Sequence, residues 1–274
     1  MMEEWRLIID PSSQGFRNMA ADEALLRSAS LDRDFRPVLR LYGWAEPTVS
    51  LGYLQKAAPF ANAGLPVVRR ITGGRALLHD SEFTYAVIAG ADNPLYSMGI
   101  AGCYSTISRA IVLTLREFGI EADFSRPSSP TAYRKSRACF ASSARYEVLL
   151  EGKKIAGSAQ RRLKGGVLQH GSIIFGLDRE LWGRIFGREV PGQTATVSQS
   201  CTVDVDKELF GQVFVEKVSE ALKASFVLAG FTEAEESLKR RLIAEKYSRK
   251  EWNEEAQMPA SSLRPGAMMA LGGI

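Results

Sequence analysis

The sequence predicts an α/β (α+β) domain, with a mixed, largely antiparallel sheet flanked by helices and a small helical part near the C-terminal end. Three observations predict it. Short β-branched and aromatic runs crowd the stretch from Trp5 to Phe175. Turn signals at Glu151-Gly152-Lys153 and Lys164-Gly165-Gly166 join neighbouring runs as hairpins, which favour antiparallel pairing. Apolar residues at helical spacing occur on both sides, as in Ile107, Ile111, Leu115 and Phe118, and again in Phe210, Val213, Phe214, Val218, Ala221 and Leu222. Strict strand–helix alternation is missing, so the sheet is mixed rather than doubly wound. Boundaries fall at 1–203 for the main domain, 204–257 for a helical part packed on it, and 258–274 for a flexible tail rich in Pro, Gly and small residues.

The elements follow in order. Trp5 to Asp10 reads as a strand, ended by Pro11-Ser12-Ser13. Asn18 to Leu26 is Ala- and Leu-rich and reads as a helix with acids in its first half. Val38 to Tyr42 alternates apolar and polar side chains, as a half-buried strand does. Thr48 to Leu51 and Pro66 to Arg70 are further strands, closed by Gly52 and by Thr72-Gly73-Gly74. Phe83 to Ile88 is a buried strand by composition. Tyr104 to Phe118 is a helix, stopped by Gly119. Residues 126–144 are polar and read as a long loop, a feature often functional in compact domains. Two hairpin strands, Tyr146 to Leu150 and Lys154 to Ala159, precede a third, Val167 to Phe175. From Asp206 onward the chain reads as helical, with a last short helix over Glu233 to Tyr247.

Composition narrows the function classes. Of 274 residues, 45% are hydrophobic and 24% charged, and the formal charge is +4, an ordinary and mildly basic globular chain. The start, Met1-Met2-Glu3-Glu4-Trp5, is acidic before any apolar stretch, so no secretory leader is expected. Apolar runs are too short to span a bilayer. Three cysteines without a CxxC pair and two histidines argue against a disulfide scaffold and against a metal centre. The expectation is a cytoplasmic protein with no metal, no cofactor, no nucleic-acid partner and no membrane.

Three clusters could carry chemistry. In Arg69-Arg70-Ile71-Thr72-Gly73-Gly74-Arg75, two glycines after a strand let backbone N–H groups approach a ligand, and the arginines suit an anionic or carbonyl group. A plain surface turn with solvated arginines would look the same, and neither GxxxxGK[ST] nor GxGxxG is present. In Gly152 to Gln160, Lys154 sits on a strand beside Gly157, Ser158 and Ala159, small residues that leave room for a ligand. Cys139 follows Arg134-Lys135-Ser136-Arg137, and a cationic surround favours the thiolate; the commoner fate of a cysteine is a small buried hydrophobe. His79, next to Asp80, could be a base with its orienter, and His170 with Gly171 lies on a strand; both read more simply as structural or pocket-lining.

Taken together, Asn18 to Leu25, Arg69 to Arg75 with His79-Asp80, and Gly152 to Gln160 with Leu168-Gln169-His170-Gly171-Ser172 resemble the biotin/lipoate protein ligase superfamily in order and spacing. The likeness runs from about Trp5 to Asn253. Cys139-Phe140, then Tyr146-Glu147 and the Lys154 hairpin, are most similar to its LipM-type octanoyltransferase group. The resemblance implies a ligase-like catalytic domain over 1–203 and an acyltransferase of lipoate biosynthesis. Cys139 would be the acyl-carrying nucleophile and Lys154 its catalytic partner. Arg69, Arg70, Thr72, Gly73, Gly74, His79, Gly157, Ser158, Ala159, His170 and Gly171 would bind substrate. The donor would be octanoyl-acyl carrier protein, and the acceptor a lysine of an apo lipoyl domain, such as the glycine cleavage H protein or a 2-oxoacid dehydrogenase E2. Carrier proteins are acidic, so Arg134, Lys135, Arg137, Arg161, Arg162 and Lys164 form a candidate docking patch. Two other enzyme readings stay open: an ATP-dependent lipoate ligase, and an amidotransferase between lipoyl domains. A non-catalytic binding module is a third, although no RNA-binding motif is present.

Overall fold

A computed structural model describes residues 2–124, 147–201 and 204–257. Cys139, the cations Arg134, Lys135 and Arg137, the long 126–144 loop and the 258–274 tail lie outside the described residues.

The elements, in chain order, are β1 (Glu3–Ile9), α1 (Gly15–Leu31), β2 (Val38–Tyr42), β3 (Thr48–Leu51), β4 (Val67–Arg69), β5 (Leu77–His79), β6 (Ser81–Gly90), α2 (Pro94–Ser97), α3 (Gly99–Glu117) and β7 (Asp123–Phe124). After the undescribed stretch come β8 (Val148–Leu150), β9 (Lys153–Leu163), β10 (Gly166–Gly176), α4 (Arg179–Phe186), α5 (Val197–Ser200), α6 (Lys207–Leu222), β11 (Ala224–Leu228), α7 (Glu233–Leu242) and α8 (Lys250–Asn253). A π-helical turn, Ile243–Tyr247, continues α7.

Among the described residues the strands form an eight-stranded sheet, β11-β1-β2-β6-β10-β9-β8-β7, and a three-stranded sheet, β4-β3-β5. The large sheet is mixed as predicted. β1 pairs in parallel with β2 and β11, and β2-β6-β10-β9-β8-β7 is antiparallel throughout. The β8–β9 hairpin turns at Glu151 and Gly152, both with positive φ, the conformation a tight two-residue connection requires.

Helices cover both faces because strand side chains alternate. Tyr85, Val87 and Ala89 of β6 join α3 and α6 through Ile107, Ile111, Phe210 and Phe214. Ala86 and Ile88 point the other way, to Leu25, Leu26, Leu242 and Trp252. The small sheet has its own core with Trp182 of α4.

Three expectations are corrected. β11 was read as helix; it is an edge strand, because Lys223 in the left-handed region ends α6 and turns the chain back alongside β1. β2 is buried on both faces rather than half-buried. Its polar residue, Arg40, is accommodated by Asp22 of α1 at 2.7 Å and Asp10 at 2.7 Å. The α1 helix starts at Gly15 and runs to Leu31, well past the Asn18–Leu26 core of the prediction.

Candidate active site

The motifs that are far apart in sequence meet at the seam between the two sheets. Antiparallel pairing of β9 with β10 sets His170 opposite Ala159, Gly171 opposite Ser158 and Ser172 opposite Gly157. Facing them across a narrow cleft are Ser50 of β3, Arg70, Gly74 and His79. Met19, Tyr42, Trp44 and Leu77 give the cleft its apolar lining. Its cavity volume is about 50 Å³.

Two hydrogen-bond chains hold the walls. In the first, Asp22 Oδ2 accepts from Tyr42 OH at 3.0 Å and from His170 Nδ1 at 2.7 Å. A carboxylate on Nδ1 fixes that nitrogen as the donor, and Nε2 meets the Thr72 hydroxyl at 2.7 Å. Burial alone would push the Asp22 carboxyl up; the His170 hydrogen bond and the Arg40 charge outweigh it and hold the group below the usual carboxylate range. The result is a rigid tie from α1 through β10 to the Thr72-Gly73-Gly74 turn.

In the second chain, His79 Nδ1 meets Glu82 Oε1 at 2.5 Å and Nε2 meets Ser50 Oγ at 2.8 Å. Trp44 stacks on the His79 ring at 3.6 Å and donates its Nε1–H to Thr84. Burial, opposed by Glu82, lowers the His79 pKa, so the imidazole is neutral near pH 7. His79 lines the cleft, and its carboxylate partner is Glu82 rather than the neighbouring Asp80, whose backbone N–H donates to the other Glu82 oxygen. Strand alternation turns adjacent residues to opposite sides.

The two arginines do different work. Arg70 lines the cleft and grips the carbonyls of Ser50, Gly73 and Arg75, so it shapes the glycine turn from within. Gly74 has φ +89, where a side chain is strained. Arg69 is not in the cleft. It is 1% exposed, and its guanidinium donates to six backbone carbonyls: those of Gly52, Tyr53, Gln55, Trp252, Asn253 and Glu254. Its reading as a ligand for substrate is corrected to a clamp between the β3–β4 connection and α8.

Lys154 is 2% exposed and ion-paired with Glu147, near the start of β9. It stands three residues before Gly157 on the same strand and is not among the cleft-lining residues. A buried ammonium is tolerated because a carboxylate faces it. Cys103 is fully buried, and burial pushes its thiol up to about 12. Burial raises the Cys201 thiol as well. Of the proposed docking cations, Arg162 lies over Tyr96 and donates to the Tyr96 carbonyl, whereas Arg161 lies over Tyr53.

Sequence reasoning missed Asp22, Tyr42, Trp44, Ser50 and Glu82 as parts of the site. Asp22 left one trace, an acid within an Ala- and Leu-rich run, and a buried acid demands a partner. Among the described residues no group of three metal-ligating side chains occurs and no helix is long and apolar enough to cross a membrane.

With this geometry in hand, three kinds of likeness are informative. Residues 14–227 match the family model described as the lipoyl protein ligase A/B catalytic domain. Octanoyltransferase LipM of Kyrpidia tusciae is 37% identical, over 92% of this chain and 99% of the relative. A crystal structure of lipoate-protein ligase A bound with ATP superposes with a TM-score of 0.76 at 27% identity, covering 94% of this chain and 100% of the other. A bipartite lipoate protein ligase from Thermoplasma acidophilum, described together with its E2 lipoyl domain, gives 0.76 at 26% identity, covering 93% and 98%.

Proposed function

The chain belongs to the lipoyl protein ligase A/B catalytic-domain family, and on that premise we propose that it is an octanoyltransferase of lipoate biosynthesis, working through a thioacyl cysteine. The observation that carries the reading is the end-to-end likeness to a LipM octanoyltransferase, 92% of this chain against 99% of the relative.

The thiolate of Cys139 attacks the carbonyl of an octanoyl thioester on acyl carrier protein. The carrier's thiolate leaves, and octanoyl-Cys139 remains. The neutral amine of a lipoyl-domain lysine then attacks; as the C–N bond forms and the C–S bond breaks, the amine proton passes to the departing Cys139 sulfur and restores the thiol. Thioester exchange is nearly neutral in energy and thioester to amide is downhill, so no ATP is consumed. Two observations support the choice of thiol: the chain has three cysteines, and burial raises the thiol pKa of both Cys103 and Cys201. Lys154 is assigned the charge that holds the thiolate or the developing oxyanion, which it must share with its ion-pair partner Glu147.

The acyl chain is assigned to the cleft, which must widen beyond its present 50 Å³ to take it; Gly157, Ala159 and Gly171 leave room along one wall, and Met19, Trp44 and Leu77 make it apolar. Burying about six methylenes contributes roughly 5 kcal/mol at about 0.8 each, enough for the chain itself to be a recognition element.

Intact mass tests the reading. After incubation with octanoyl-acyl carrier protein and no ATP, the protein gains one octanoyl group that is labile to hydroxylamine and absent from Cys139→Ala; an apo lipoyl domain then removes it. No adduct on the wild-type protein, together with transfer only when Mg-ATP and free octanoate or lipoate are added, would replace this reading by the ligase one, which the shape of the ATP-bound lipoate-protein ligase A favours.

A further inference from the structure

Two carboxylate–histidine–hydroxyl sets stand at the cleft, and they differ at the hydroxyl. In the first, Asp22 holds His170, and His170 meets Thr72, which is fully buried and not among the cleft-lining residues. In the second, Glu82 Oε1 holds His79 Nδ1 at 2.5 Å, and His79 Nε2 meets Ser50 Oγ at 2.8 Å. Ser50 is 1% exposed and lines the cleft, so the second set ends on the space that a substrate would enter.

The second set is oriented throughout. Glu82 Oε2 accepts from the Asp80 backbone N–H at 2.8 Å, which fixes the carboxylate. Trp44 stacks on the imidazole, with 3.6 Å between ring centres and 13° between planes, which fixes the ring. With a carboxylate on Nδ1 and the ring neutral, Nε2 is an acceptor, and the Ser50 hydroxyl donates to it. Arg70 Nη1 donates to Ser50 Oγ at 3.0 Å, so a cation stands where an alkoxide would form. A base within reach of a hydroxyl, a carboxylate behind the base and a cation beside the oxygen are the parts of an activated nucleophile.

We propose that Ser50, His79 and Glu82 form a serine esterase centre that takes short, unbranched acyl groups from esters and passes them to water. Neither Cys139 nor a carrier protein enters it, so it stands apart from the octanoyltransferase reading. The Ser50 Oγ–C bond forms as the hydroxyl proton passes to His79 Nε2. The ester C–O bond then breaks, and the departing alcohol carries that proton away. Water attacks the acyl-Ser50 carbonyl and gives a proton to His79; Oγ leaves and takes that proton back. The products are a carboxylic acid and free Ser50. Glu82 balances the imidazolium between the steps, and Arg70 steadies charge on Oγ. A volume of about 50 Å³ lined by Met19, Trp44 and Leu77 sets the preference for a small apolar acyl group.

Hydrolysis of p-nitrophenyl butyrate by Cys139→Ala tests this, because that variant lacks the thiol of the other reading. The variant turns the ester over. Adding Ser50→Ala abolishes the turnover, and adding His79→Gln or Glu82→Gln lowers it about 10²-fold or more. An ethyl fluorophosphonate loses fluoride to the same oxygen, and the phosphonyl mass maps to the peptide that holds Ser50. That adduct is read on the wild-type protein and is independent of how any variant folds. No turnover by Cys139→Ala, turnover undiminished by Ser50→Ala, or an adduct on any other residue overturns the proposal. Octanoyl-Cys139 formed by a protein with neither ester turnover nor a Ser50 adduct overturns it alone. Ester turnover with a Ser50 adduct, in a protein that takes no octanoyl group from its carrier, supports it and overturns the functional reading instead.

Discussion

Replacing Asp22 by Asn should unsettle the protein far more than replacing Asp10 by Asn, although both carboxylates hold the same guanidinium. The Arg40–Asp22 and Arg40–Asp10 contacts are both 2.7 Å. The Asp22 side chain is 1% exposed and that of Asp10 is 24% exposed. All the partners of Asp22 donate: Arg40 to Oδ1, Tyr42 and His170 to Oδ2. An amide cannot accept on both sides, so whichever way it turns, its NH₂ meets a donor. Loss of one member of a buried pair costs about 3–5 kcal/mol, against about 0–1 for a pair that water can reach. At roughly 2–4 °C per kcal/mol for a chain of this size, Asp22→Asn lowers the melting temperature by about 6–20 °C and Asp10→Asn by a few degrees at most. The pH dependence has a sign as well. Asp22 is held below its ordinary value of 3.8, so its contribution is complete above that pH and disappears as pH falls through the lower folded value. The gap between wild type and Asp22→Asn should close in acid. Urea titrations of the three proteins at pH 7 and pH 3 decide it. Asp22→Asn within about 1 kcal/mol of wild type at pH 7, or a gap that widens instead of narrowing at pH 3, would refute the reasoning.

Other expectations concern the site and its supports. Lys154→Met leaves Glu147 without its buried cation and should reduce octanoyl transfer by about 10²–10³, read from single-turnover acylation. Gly52→Ala forces a Cβ against the Gly74 backbone and displaces the glycine turn, seen as a lowered melting temperature together with a raised KM for the donor. The His79 pKa is depressed by burial, so the unfolded chain takes up a proton before the folded one does. Stability should therefore decline as pH drops below about 6.5, less steeply in His79→Gln, as followed by urea midpoints.

Much of the fold could be read from side-chain pattern alone. β2 and β3 were predicted with their observed bounds, and the β8–β9 hairpin was predicted at Glu151-Gly152, because turn chemistry and strand propensity agree there. β11 was not legible. Its five residues, Ala224–Leu228, follow directly on the α6 stripe, and only the Lys223 reversal and the waiting edge of β1 make it a strand. The site divided along similar lines. Arg70, Gly74, Gly157–Ala159, His79, His170 and Gly171 were recognisable from motif order and do line the cleft. Arg69 belongs to the same motif and faces away, since consecutive residues around a strand end cannot share a side. Asp22, Trp44 and Glu82 were hidden because a lone acid or aromatic in a regular run has no local signature; its partner lies on another element.

The cleft walls belong to two sheets that share no strand. Near the site the chain passes from one to the other through the single residue Asp80, between β5 and β6, and side chains tie the rest: Thr72 to His170, Trp44 to Thr84, His79 to Glu82. Backbone ladders end on either side of the gap. Away from the Asp80 link its width is set by a few replaceable side chains, while the ladders that give each sheet its register stay out of reach of such changes. A lineage or an engineer can widen or narrow the gap one residue at a time without renegotiating the architecture that holds the walls upright.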